Sequence, residues 1–83
     1  MVSDLRAVPL DTLGAGTVAR LHEARLSPEA CETLGALGLT EACELRLCKA
    51  GEPFIVQVKT TRIGLSRAVA RGIYVIPRAT DAA

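Results

Sequence analysis

Between Glu44 and Leu65 the chain alternates aliphatic and polar residues in three short runs, each cut off by turn residues. Leu45 and Leu47 share one parity, then Lys49-Ala50-Gly51-Glu52-Pro53 interrupts. Phe54, Val56 and Val58 follow, then a turn at Thr60-Thr61, then Arg62-Ile63-Gly64-Leu65. A period of two places side chains on opposite faces of a strand, so each run has one apolar face to bury. Two such runs joined by a five-residue loop with Gly and Pro predict an antiparallel hairpin. This stretch excludes a helical bundle and requires a small sheet.

The flanking segments fit the same frame. Residues 1–8 read as a lead-in, and Pro9 to Gly16 as a turn-rich approach to the first strand. Thr17 to Glu23 reads as that strand, with Ala19 and Leu21 on one face and Arg20 and His22 on the other. Ser27-Pro28-Glu29 is a helix start: Ser27 is placed to cap, Pro28 suits the first helical position, and Glu29 favours the positive end. The helix runs roughly ten residues, near the usual mean. Cys31, Leu34 and Leu37 lie along one side, and Gly38 ends the helix in a left-handed conformation. Ser66 caps a single helical turn, Arg67 to Arg71, closed by Gly72. Ile73 to Ile76 is a last strand ended by Pro77, and 78–83 is a frayed tail. The expected fold class is mainly β with one short helix and a helical turn, in one domain over 9–77.

Eighty-three residues bury only a thin single core, and 49% hydrophobic content suffices to fill it. The core is aliphatic, because the aromatic residues are Phe54 and Tyr74 alone. Ten Lys and Arg against nine Asp and Glu give a net charge of +1. That balance supplies no excess charge to steer the whole chain onto phosphates or anionic lipid. Nucleic-acid sites on small barrels need stacking aromatics and a positive groove; two aromatics and near neutrality argue against a nucleic-acid partner. No apolar run approaches the length of a membrane span, so membrane insertion is not expected. With no secretory signal pattern at the N-terminus, a cytoplasmic location is expected.

Candidate chemical residues are few. Cys31, Cys43 and Cys48 form no CxxC pair, so neither a zinc ribbon nor a redox motif is present. Cys31 and Cys43 read as small core-filling groups and Cys48 as pointing outward. His22 is the single histidine, and on a strand its neighbour Glu23 points to the opposite face. A tight metal site needs three or four ligands, so His22 offers at most a weak surface contact for a divalent ion such as iron or zinc. No cofactor is required. No nucleophile–base pair and no phosphate loop occurs, which points away from an enzyme and from a small-molecule substrate.

Gly16-x-x-Ala19-x-Leu21, Leu34-x-x-Leu37-Gly38-Leu39, Ile63-x-Leu65 and Ala70-x-x-Ile73-x-Val75, in that order, resemble the FeoA family over about residues 8–77. These are small cytosolic accessory proteins of bacterial ferrous-iron transport. The resemblance implies an SH3-like β-barrel. It also implies a partner, a membrane iron permease with a cytoplasmic GTP-binding domain. The same domain occurs at the C-terminus of metal-dependent repressors, and the alternative role is a stand-alone SH3-like barrel with another binding function, such as metal-responsive regulation or nucleic-acid binding. Three turns depart from the family pattern. Thr40-Glu41-Ala42 stands where Pro-Gly is common, no Gly occupies the turn near Thr60, and Ser66 intervenes before Arg67.

Each candidate contact residue also has an ordinary structural reading. Leu37, Gly38 and Leu39 serve helix termination and packing; as a contact patch, they require Leu37 or Leu39 to be exposed. Arg62, Arg67 and Arg71 make a solvated face, or an electrostatic patch for an acidic partner surface if they cluster.

Overall fold

The computed structural model describes residues 7–40 and 42–78. The expected lead-in therefore contributes Ala7 and Val8, and the expected tail contributes Arg78; residues 1–6 and 79–83 lie outside the described residues. The elements are β1 (Val8–Pro9), a 3-10 turn (Leu10–Thr12), β2 (Val18–Ala24), α1 (Pro28–Ala36), β3 (Glu44–Lys49), β4 (Phe54–Val58), β5 (Thr61–Leu65), α2 (Arg67–Arg71) and β6 (Ile73–Pro77).

Six strands form one antiparallel sheet in the order β1-β6-β2-β3-β4-β5. Curled around its apolar face, the sheet makes a small SH3-like fold. Alternation dictates what lies inside: Leu45 and Leu47, Phe54, Val56 and Val58, Ile63 and Leu65, and Ile73 and Val75 are all buried, and the residues between them are not. Phe54 sits opposite Leu65 and Val56 opposite Ile63, so the inward faces of β4 and β5 meet as cross-strand pairs.

The predicted helix is present. Ser27 Oγ accepts from the Ala30 N–H at 3.1 Å, and Pro28 opens the helix. Ser66 Oγ likewise accepts from the Val69 N–H at 3.2 Å. Both capping serines thus satisfy an amide that would otherwise lack a partner at the helix start.

Three local expectations are corrected, and Gly72 closes α2 as expected. Val8 pairs with Val75 and so belongs to the sheet, and Leu10 in the following turn is fully buried. The β4–β5 turn is Lys59-Thr60, and Thr61 is already paired with Val58. Gly72 closes α2 at φ −88°, a right-handed conformation open to any residue. A Cβ there would lie 2.7 Å from Leu26 Cδ2 and 2.9 Å from the Arg25 carbonyl, so close approach is what the position demands. Finally, Leu21 and Glu23 on β2 face Val75 and Tyr74, which are adjacent on β6. His22 is the extra residue of a β-bulge, so strand parity fails there and both His22 and Glu23 are exposed.

Candidate partner-binding surface

The Leu34-x-x-Leu37-Gly38-Leu39 signature forms the end of α1. Gly38 adopts φ 107°, which reverses the chain. Its N–H donates to the Gly35 carbonyl at 3.0 Å, and the Leu39 N–H donates to the Leu34 carbonyl at 2.9 Å. This pair of bonds is the Schellman arrangement, and its usual apolar contact is supplied by Leu34 and Leu39. Both side chains are buried. Leu39, one of the two leucines proposed as contacts, therefore belongs to the core and presents no surface.

Leu37 differs. It is the capping residue of α1 and is 44% exposed, the one large hydrophobic side chain left open among the described residues. The cap geometry uses its backbone, not its side chain. Beside it, α1 and the end of β2 frame an open hollow of about 460 Å³. Leu21, Leu34, Gly35 and Leu39 line it together with His22 and Cys31, and Leu37 itself lies outside the lining.

The three candidate arginines do not act as one cluster. Arg62 Nε donates to Gln57 Oε1 at 3.4 Å, on the β4–β5 hairpin. Arg67 lies 3.7 Å from Glu52 and 5.7 Å above the Phe54 ring, beside the β3–β4 turn. Arg71 lies 3.8 Å from Asp11 of the 3-10 turn. Arg67 and Arg71, one helical turn apart, share the α2 surface; Arg62 is held elsewhere. All three are more exposed than buried, where ion pairs contribute about 0–1 kcal/mol each.

His22 has no ligand set around it. Among the described residues, no three His, Cys, Asp or Glu side chains come together for a metal ion. Glu23 instead pairs with Arg25 at 3.3 Å. Both aromatic rings are occupied: Phe54 is buried beneath Arg67, and Arg25 stacks 4.7 Å over Tyr74. No described helix is long and apolar enough to cross a membrane.

The cysteines are all half-buried and unbridged. Cys31 Sγ lies 3.6 Å from the Ala24 carbonyl, under the β2–α1 connection. Cys43 packs against the core. Cys48 follows Leu47 at a bulge in the β3–β4 pairing, with Sγ 3.8 Å from Gln57 Oε1 on the outer face. Iodoacetamide is therefore expected to label Cys48 first in the native protein, read by peptide mass mapping at short times. Faster labelling of Cys31 would contradict this arrangement.

The fold is thus a small SH3-like domain with one open leucine at the end of α1 and an apolar hollow between α1 and β2. Comparison with known families matches residues 8–77 to the FeoA domain, and the chain belongs to the FeoA family. Solved structures agree. The FeoA protein of Chlorobium tepidum superposes with a TM-score of 0.83 at 27% identity, covering 89% of this chain and 73% of that one. An iron uptake regulatory protein, also FeoA, gives 0.78 at 22% identity, covering 89% of this chain and 100% of that one. A manganese-dependent transcriptional repressor gives 0.82 at 16% identity, covering 93% of this chain but 44% of the repressor. The latter two likenesses establish fold alone. No curated protein matches the chain by sequence.

Proposed function

We propose that this chain is a non-enzymatic accessory protein of ferrous-iron transport. In this reading it docks on the cytoplasmic part of a membrane iron permease that carries a GTP-binding domain. The observation that carries the reading is Leu37. The rest of the family signature is accounted for by the helix cap and the core, whereas the Leu37 side chain serves neither. An exposed aliphatic side chain at the end of the helix that frames the hollow supplies apolar area for a docking contact, with charged residues at the rim. Arg67 and Arg71 are suited to that rim, where charges act mainly on association rate. No resident cofactor enters the reading, and His22 would give iron or zinc no more than a weak surface contact.

The test is a binding titration of the purified chain against the cytoplasmic part of the candidate permease, with and without guanine nucleotide. Saturable binding is expected. Leu37→Ser should weaken it by roughly tenfold, the equivalent of about 1.4 kcal/mol for a central contact. The same change should leave the melting temperature nearly unchanged, because the side chain is open to water. Saturable binding that Leu37→Ser leaves intact would move the contact elsewhere. No binding in any nucleotide state would favour the second reading, a metal-responsive regulatory module, for which the repressor likeness is the support.

A further inference from the structure

The net charge of +1 conceals a one-sided distribution. On the outward face of the sheet, directly opposed residues form a row. The Arg78 N–H donates to the Val18 carbonyl at 2.8 Å; Val18 faces Arg46, Arg46 faces Gln57, and Gln57 faces Arg62. Arg20 stands in the adjacent row between Glu44 and Ile76. Lys59 shares a shallow hollow of about 340 Å³ with Arg46, Gln57 and Arg78, and Lys49 lies opposite Ile55. Six of the chain's ten cationic side chains therefore occupy one face. Its two described carboxylates are already paired, Glu44 with Arg78 and Glu23, which lies opposite Tyr74, with Arg25. Among the described residues, Arg20, Arg46, Lys49, Lys59 and Arg62 have no carboxylate partner. The compensating acids Asp11, Glu29, Glu32 and Glu52 lie on other elements, the 3-10 turn, α1 and the β3–β4 turn.

We propose that this sheet face adsorbs to the surface of a bilayer rich in anionic phospholipid, holding the domain against the membrane without inserting into it. The row crosses five strands and runs about 20 Å along the convex outer side of the curled sheet at the usual strand spacing. That is broader than the major groove of duplex DNA, about 12 Å. Single strands need stacking surfaces, and both rings are already covered. Beyond a Debye length a partner meets a nearly neutral molecule; only a surface in close contact with this side meets its excess of cations. A fluid array of headgroups is charged throughout and able to move phosphates toward the arginines it meets. The half-buried Val18, Ile55 and Ile76 lie among the cations and suit the polar–apolar boundary of such a surface.

The inference concerns a different surface from Leu37 and stands independently of permease docking. Its test is co-sedimentation of the full chain with vesicles of phosphatidylcholine plus phosphatidylglycerol, against phosphatidylcholine alone. Binding is expected to the anionic vesicles only, and to be lost in about 1 M salt, where the Debye length falls to about 3 Å. Each cation near such a surface multiplies partitioning about fivefold, so Arg46→Gln with Arg62→Gln should reduce it about 25-fold. The same charge removed from α2, as Arg67→Gln with Arg71→Gln, should change it far less. Melting curves of both double variants check that each is folded. Absence of binding to the anionic vesicles would overturn the proposal, as would equal losses in the two double variants. Random duplex DNA displacing the chain from vesicles through Arg46 and Arg62 would assign the face to nucleic acid instead.

Discussion

Leu10→Ala is expected to cost about 2–5 kcal/mol, the range for emptying a fully buried leucine site. For a domain of this size total stability is about 4–12 kcal/mol, scaled at 0.05–0.15 kcal/mol per residue. A single truncation thus removes a large share. Around 3 kcal/mol would lower the melting temperature by roughly 12–24 °C. The reason lies in placement. Leu10 is fully buried, and the turn it opens packs against α2 and β6. Other ties in this corner are weaker. The Asp11–Arg71 pair, with the arginine mostly exposed, contributes about 0–1 kcal/mol. Thr12, whose hydroxyl donates to the Pro9 carbonyl at 2.7 Å, is exposed and supplies the control. Thr12→Ala should shift the thermal midpoint by a few degrees at most. If Leu10→Ala melts like Thr12→Ala, the N-terminal turn is not part of the core.

That corner also marks where sequence reading ran short. Alternation located β2, β3, β4 and β5 because each has one wet and one dry face, which is the pattern a period of two records; β6 was read from its apolar run, Ile73 to Ile76, ended by Pro77. Val8 and Leu10 carry no such pattern. A two-residue strand and a three-residue turn are too short for periodicity, and their burial comes from β6 and α2, some sixty residues later in the chain. His22 failed for a related reason: a bulge is set by the partner strand and breaks parity without leaving a local mark. The site was half legible. Spacing identified the helix end but could not tell Leu37 from Leu39, since which leucine faces water depends on how Gly38 turns the chain. The basic face was invisible, because its members are scattered from 20 to 78 and only strand pairing assembles them. Two departures from the family pattern gain a physical meaning. Ala42 at φ 67° and Lys59 at φ 58° sit in left-handed backbone at the turns where the family resemblance implies glycine.

Gly72→Ala and Gly35→Ala should move stability in opposite directions, although both replace glycine at right-handed backbone positions. Replacing glycine narrows the unfolded ensemble and by itself stabilises by about 0.4–1 kcal/mol. At Gly35, inside α1, an added Cβ meets nothing within 4 Å, so that gain should appear in full. At Gly72 the methyl would meet Leu26 Cδ2 at 2.7 Å and the Arg25 carbonyl at 2.9 Å. The leucine tip can rotate away. The carbonyl cannot, because the neighbouring Arg25 N–H donates to the Gly72 carbonyl at 2.7 Å and fixes the end of β2 against the start of β6. Relief requires parting those two chains, at a cost typical of overpacking, about 1–3 kcal/mol. That exceeds the entropic gain, so the net effect should be destabilising, and Gly72→Val should be worse because its added bulk enters the same gap. Urea denaturation of the three variants decides the matter: a midpoint for Gly72→Ala at or above that of the parent chain would show that the β2–β6 junction yields more easily than its close contact implies.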